Sequence, residues 1–103
     1  MALYLRSDIK SLEYHRLVVK KLRQDPSLIK KALGNIRRWK KQNQYPQPYL
    51  EDWLTHIDKG LDHLCAFLLS ETDEAQRLRS SSPFAGILTE DERMKIWMEH
   101  HDA

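Results

Sequence analysis

Apolar residues recur along this chain at spacings of three, four and seven, the period of a helix with one buried face. The first such stripe predicts a helix from about Ser7 to Gln24. Asp25 and Pro26 then supply an N-cap and a first-turn proline, which predict a second helix that runs to about Lys41. Residues 42–48 contain two prolines and predict a loop, because proline removes a backbone donor and restricts the residue before it.

The same rhythm resumes over residues 49–68, and it passes through Gly60 without a change of phase. A glycine at that point either caps one helix or lies inside a longer one. We expect a break near Gly60. Ser70 and Thr72 are followed by acidic residues, so they predict the N-cap of a short helix that ends near Arg79.

The last quarter of the chain departs from this regularity. Residues 80–88 hold three serines, a proline and a glycine, and we expect them to be extended. Thr89 and Glu92 then match a capping box, which predicts a final helix to about His100. Between the helix breakers stand apolar side chains that a solvated linker has no reason to carry, namely Phe84, Ile87 and Leu88.

Together these elements predict an all-α fold, a compact bundle of four to five helices with a C-terminal extended arm and a terminal helix. Residues 1–79 form the helical domain, and residues 80–103 either complete that domain or extend from it towards a partner. The chain has 103 residues, of which 41% are hydrophobic and 31% charged. Such a composition is typical of one globular domain rather than a disordered chain.

Charge is distributed unevenly along the chain. Residues 1–41 hold twelve Lys/Arg and three Asp/Glu, a net charge of +9, whereas residues 42–103 hold five and twelve, a net charge of −7. This division fits nucleic acid, an acidic protein or self-association as partners, and it fits equally well exposed helical faces that carry solvated charge. Cys65 is the only cysteine, which favours a reducing compartment. Because the first residues lack a signal-peptide pattern and no stretch is long enough to span a bilayer, we expect a cytoplasmic protein without a membrane partner.

Candidate catalytic and metal-binding groups are sparse. His56 and His63 share a helical face but lack a third ligand nearby in sequence, and the serines at 80–82 have no histidine close to them. We therefore expect no enzyme activity, no metal and no cofactor. One remote alternative is open, because Arg93 and His100 formally resemble the Arg-X4–6-His motif of HEPN-domain ribonucleases.

A basic stretch closes the second helix and supports an alternative function, a basic helical nucleic-acid-binding regulator. Cations on one helix can contact phosphates without reading sequence. The partner in this interpretation is nucleic acid held by residues 30–41. The predicted contact residues are Arg37, Arg38, Lys40 and Lys41.

The C-terminal segment is the strongest candidate for binding a protein. Proline pre-extends the chain, apolar side chains can fill pockets, and arginines at the rim can form charged hydrogen bonds. The same apolar side chains can equally pack on the helices of the protein itself, so both interpretations are open. The predicted partner-binding residues are Arg77, Arg79, Pro83, Phe84, Gly86, Ile87, Leu88, Arg93 and Trp97.

Most of the chain resembles a group of small bacterial antitoxin-like proteins of toxin–antitoxin pairs. The residues that carry the resemblance are Asp25-Pro26, Trp39, Trp53, the segment LRSSSPFAGIL at 78–88 and Glu92-Arg93. Met94 stands where the group commonly has a tryptophan. The resemblance implies a non-catalytic antitoxin that neutralises a cognate toxin by docking its C-terminal segment.

Overall fold

The computed structural model describes residues 6–43 and 47–100, with side chains described for 9–43 and 47–99. This part of the chain contains no strand, so the predicted all-α class is confirmed. No helix within it combines the length and the apolarity that crossing a membrane requires. The elements in chain order are α1 (Arg6–Gln24), a 3₁₀ turn (Pro26–Leu28), α2 (Ile29–Gln42), α3 (Pro48–Asp58), α4 (Leu61–Leu68), α5 (Asp73–Arg79) and α6 (Glu90–His100).

The predicted helix boundaries have identifiable physical causes. The Asp25 carboxylate accepts a hydrogen bond from the Ser27 backbone N–H, and the single 3₁₀ turn it caps leads into α2. Gly60 adopts φ 107°, a conformation that glycine reaches without a steric penalty, and it separates α3 from α4 as predicted. The Thr72 side chain accepts from the Ala75 N–H and so caps α5.

The core forms around α1, which packs against α4, α5 and α6, while α3 packs on α4. Aliphatic and aromatic side chains from all six helices meet there, and Cys65 is buried among them. The largest fully buried core side chains on the helices are Val18, Leu22, Ile36, Leu50, Trp53, Leu64, Leu68 and Leu78.

The segment between α5 and α6, which we call the strap (residues 80–89), is non-helical as predicted but is bent rather than extended. Its backbone turns where the Ile87 N–H donates to the Phe84 carbonyl at 3.3 Å, and Gly86 lies at φ 88°. Pro83, Phe84, Ile87 and Leu88 are buried within the same core as the helices. The strap therefore completes the helical domain.

The final helix, α6, begins at the predicted capping box. The Thr89 N–H donates to Glu92 Oε1 at 2.8 Å, and the Glu92 N–H donates to Thr89 Oγ1 at 3.1 Å. Lys21 of α1 pairs with the same carboxylate at 2.5 Å. Among the described side chains of α6, Ile96 alone is buried. A capped start, one apolar contact and one ion pair thus hold α6 against α1.

Candidate partner-binding site

Side chains from the helices bind the backbone carbonyls of the strap. The Trp53 indole N–H donates to the Ser81 carbonyl at 3.1 Å. The buried Asn35 amide donates to two carbonyls, of Pro83 at 2.8 Å and of Ala85 at 3.1 Å. An unpaired buried carbonyl costs about 1–3 kcal/mol, so these donors offset the cost of burying a non-helical segment.

Two lysines extend this arrangement towards α6. Lys31 Nζ donates to the Gly86 carbonyl and Lys21 Nζ to the Ile87 carbonyl, each at 3.3 Å. Lysine can reach across a surface with its aliphatic stem while its ammonium group bonds an oxygen. The basic residues of α1 and α2 therefore help to hold the strap, in addition to facing solvent.

A histidine fixes the start of the strap. His15 Nδ1 lies 2.7 Å from the Ser11 carbonyl, which can only accept, so Nδ1 carries the proton. Nε2 then accepts from the Ser82 hydroxyl at 2.8 Å. The same hydroxyl accepts from the Phe84 N–H at 3.3 Å, and the Tyr14 hydroxyl donates to the Phe84 carbonyl at 3.1 Å. Sequence reasoning missed His15, because it lies 67 residues from its serine.

The Ser82–His15 pair has the atoms of a serine–histidine dyad, but its environment suits an anchor. Burial lowers the pKa of His15 to about 4, an effect that its hydrogen bond to Ser11 opposes and the charge of Arg79 reinforces. A histidine of such low pKa is neutral at pH 7 and is a weak base. The pair therefore joins α1 to the strap through an uncharged hydrogen bond.

The phenyl ring of Phe84 lies at the centre of an aromatic cluster. Its centroid is 5.6 Å from that of Trp53 and 6.1 Å from that of His15, both in edge-to-face geometry. Phe67 contacts the other side of this cluster, 5.9 Å from Trp53. Edge-to-face pairs add about 0.5–1.5 kcal/mol to the burial of the rings. Phe84 is thus a core residue, although it lies in the strap and not in a helix.

The residues predicted to bind a partner fall into two groups. Pro83, Phe84, Ile87 and Leu88 lie in the core of the protein itself. Arg79 is also buried, and it donates to the carbonyls of Leu68 at 3.1 Å and Ser70 at 2.5 Å. Pro83, Phe84, Ile87 and Leu88 can reach a partner only if the strap leaves the core, whereas Arg79 lies at the end of α5 and lines the cleft between α1 and α6.

The other predicted residues remain at the surface. Arg77 lies 3.6 Å from Asp52 in an exposed ion pair, and Gly86 is exposed at the bend of the strap. Arg93 and Trp97 are exposed on α6. Both of them line a cleft between α1, the end of α5 and α6, so the structure brings these two predicted residues together.

This cleft has a volume of about 560 Å³, within the range of ligand-binding pockets. α1 forms one wall and α6 the other, and the strap with the end of α5 forms the floor. The residues that line it are Lys10, Ser11, Tyr14, His15, Gln76, Arg79, Ser80, Ser82, Ala85, Arg93, Ile96 and Trp97.

The lining of the cleft is cationic and partly apolar. Among the residues that the structure describes, it includes Lys10, Arg79 and Arg93 but no aspartate or glutamate. Burial raises the pKa of Tyr14 and the Arg93 charge opposes that rise, which indicates that Arg93 acts electrostatically on the Tyr14 hydroxyl. Lys10 Nζ lies 5.8 Å from the ring centroid of Trp97, within cation–π range.

The outer side of α6 carries large apolar side chains in water. Met94 is 49% exposed, Trp97 45% and Met98 68%. The sequence analysis identified Trp97 but missed Met94 and Met98 as site residues. Their spacing of three and four along α6 is the available signal, and it shows that they share one face.

The basic residues of α2 that could bind nucleic acid are partly engaged elsewhere. Arg38 donates to the Asn35 side-chain oxygen at 2.6 Å, and Lys40 pairs with Glu51 of α3. Arg37 and Lys41 are exposed. In the remote ribonuclease alternative, Arg93 lies on the cleft, whereas the side chain of His100 lies outside the described residues.

The two histidines of α3 and α4 meet in the fold. His56 Nδ1 lies 2.9 Å from His63 Nε2, and His56 Nε2 lies 3.1 Å from Glu74 Oε1. His56 is buried and stacks on Phe67 with a centroid distance of 3.7 Å. The described residues include no group of three or more His, Cys, Asp or Glu side chains that could hold a metal ion. The histidines therefore connect α3, α4 and α5.

Comparison of the chain with family models, with curated proteins and with solved structures finds no match.

Proposed function

We propose that this protein is a non-catalytic module that binds another protein, with the exposed side of α6 and the adjoining cleft as its docking face. The observation that carries the proposal is the exposure of Met94, Trp97 and Met98 on one helix. Tryptophan and methionine are enriched in protein interfaces, and exposed tryptophan is a frequent centre of binding energy. Methionine adds a flexible surface that can adapt to a partner.

The construction of α6 supports the same function. A helix that served the core alone would bury an apolar stripe, whereas α6 buries only Ile96 among its described side chains. The capping box and the Lys21–Glu92 ion pair nevertheless hold α6 in place. A face that is ordered before binding loses less conformational entropy when a partner docks.

The resemblance described above points to a cognate toxin as the partner, which would make this protein an antitoxin. In this proposal Arg93 and Trp97 contact the toxin directly. Phe84, Ile87 and Leu88 support the docking face from below, because they hold the strap that forms the floor of the cleft. This differs from docking of the strap itself, which would require the strap to leave the core.

The test is an affinity measurement with the product of the reading frame adjacent to that of this protein, produced together with it. The double substitution Trp97→Ala with Met98→Ala should weaken the complex by about tenfold or more, since truncation of an interface anchor typically costs 2 kcal/mol or more. Titration calorimetry measures this difference. The helical circular dichroism spectrum should stay unchanged, because both side chains are exposed.

The matched control is Leu69→Ala, which removes an apolar side chain of comparable exposure, 37%, beyond the end of α4. This variant should bind as the unmodified protein does. Equal affinities for all three proteins, or absence of a complex, would contradict the proposed docking face. Sedimentation of the protein alone identifies the remaining case, a second copy of this chain on α6.

A further inference from the structure

The described lining of the cleft beside α6 carries three cations. Lys10 is half-buried and Arg93 exposed at the cleft, and Arg79 lies in its wall. Within residues 9–43 and 47–99, neither Lys10 nor Arg93 forms an ion pair with a carboxylate. Two cations thus face a cavity of about 560 Å³ that none of the described acidic side chains lines.

We infer that this cleft receives a short acidic segment of the partner protein, in which an aspartate or glutamate adjoins an apolar residue. The inference rests on the proposed function and adds the chemistry of the occupant. The carboxylate would lie between Lys10 and Arg93, and the apolar neighbour would pack on Ile96 and Trp97. Guanidinium and carboxylate groups form paired, charge-assisted hydrogen bonds that are about twice as strong as neutral ones.

Hydrogen bonds within the protein already fix the position of two groups that line the cleft. Arg79 is held by the carbonyls of Leu68 and Ser70, so its positive charge has a fixed position. The hydroxyl of Tyr14 is held by the Phe84 carbonyl, and Arg93 acts on it electrostatically. A ligand therefore meets groups that are already ordered, which lowers the entropy lost on binding.

The charges around the cleft favour an acidic peptide over nucleic acid. Glu90, Asp91 and Glu99 are exposed on α6 and would repel a polyanion that runs along this helix. Grooves for single-stranded nucleic acid follow the backbone with a continuous series of cations. A short acidic segment needs only the two cations Lys10 and Arg93.

The experiment uses the full ¹⁵N-labelled chain and two N-acetylated, C-amidated pentapeptides, ELDFE and its uncharged counterpart QLNFQ. We expect ELDFE to shift the indole N–H resonance of Trp97 and the amide resonances of Ser11 and Ser82. QLNFQ at the same millimolar concentrations should shift them much less. The double substitution Lys10→Gln with Arg93→Gln should weaken ELDFE binding by about tenfold or more, because each substitution removes a charge-assisted hydrogen bond.

A matched control removes the same charge elsewhere. Lys30→Gln with Lys41→Gln deletes two exposed cations of α2 and should leave the affinity for ELDFE unchanged. Equal binding of both peptides, equal losses in both double variants, or no shift with ELDFE would overturn the inference. So would inorganic phosphate or a thymidine oligonucleotide that binds the cleft more tightly than ELDFE.

The complex with the product of the adjacent reading frame distinguishes a failure of this inference from a failure of the proposed function. If Trp97→Ala with Met98→Ala weakens that complex while Lys10→Gln with Arg93→Gln does not, the acidic segment is wrong and the docking face stands. If neither double variant weakens the complex, the docking face is wrong as well.

Discussion

The strap and α6 are neighbours in sequence with opposite characters. The strap has no regular secondary structure, yet it delivers Phe84, Ile87 and Leu88 to the core. α6 is a regular, capped helix, yet it leaves Met94, Trp97 and Met98 in water. In these two segments, regular secondary structure and burial of the side chains do not go together. The two segments also differ in which groups satisfy their backbone hydrogen bonds.

The strap can be buried because other elements satisfy its backbone. Donors on α1, α2 and α3 bind carbonyls along it, among them Trp53, Asn35 and Tyr14. α6 satisfies its own backbone and needs no such donors. Met94 and Met98 remain exposed on it. The strap should control stability, and α6 should control binding.

The largest expected effect comes from removing the central side chain of the strap. Phe84→Ala should lower the free energy of unfolding by about 3–5 kcal/mol, because it leaves a cavity among Trp53, His15 and the helices. Small domains have a total of about 5–15 kcal/mol, so this variant should be close to unfolding at room temperature. Urea denaturation followed by circular dichroism gives the value.

The matched substitution on α6 is Met94→Ala, since Met94 is 49% exposed. It should change the free energy of unfolding by less than about 0.5 kcal/mol. Similar losses in Phe84→Ala and Met94→Ala would mean that the two regions do not differ in the way the structure indicates.

The second effect is a pH dependence that belongs to the start of the strap. Burial holds the pKa of His15 at about 4 in the folded protein, against an ordinary value of about 6.5. Above pH 6.5 the ring is neutral in both states and its contribution to stability is complete. As the pH falls from 6.5 to 4, the unfolded state takes up a proton that the folded state does not. Stability should therefore decrease by about 3 kcal/mol over this window.

The comparison protein is His15→Gln, which can still hydrogen-bond to Ser82 but does not titrate. It should be less stable than the unmodified protein at pH 7, and the gap should shrink by about 3 kcal/mol on going to pH 4. Urea titrations at pH 7, 5.5 and 4 measure the gap. Parallel stability profiles for the two proteins would show that His15 does not anchor the strap in its neutral form.

Local sequence signals predicted the elements well and their long-range partners poorly. The caps at Asp25, Thr72 and Thr89 and the break at Gly60 lie within a few residues of what they control, so a linear pattern can show them. The apolar content of the strap left two outcomes open, burial in the core and docking to a partner. In this structure the strap is buried, and the polar donors that hold its backbone lie far from it in sequence.

The candidate site shows the same limit. Arg93 and Trp97 were predicted from their place in the C-terminal segment, and both line the cleft. Lys10 and Tyr14 join them from α1, more than 75 residues away, through the packing of α1 on α6. No periodicity within either helix indicates that contact, because each pattern shows which face is apolar but not which helix covers it.

The smallest expected effect concerns the attachment of α6. Hydrogen bonds from Lys21, and then from the Thr89 backbone, lower the pKa of Glu92 to about 2. Its contribution to stability is present above the ordinary pKa and is lost as the pH falls towards 2, because over this window the unfolded state takes up a proton that the folded state does not. Glu92→Gln keeps the capping box but removes the ion pair, whereas Glu92→Ala removes both. At pH 7 we expect the amides of α6 to exchange hydrogen a few-fold faster in Glu92→Gln and faster still in Glu92→Ala, with the amides of α1 unchanged. If exchange in α1 and in the strap accelerated equally, α6 would be part of the cooperative core, and the contrast between a structural strap and a surface helix would be wrong.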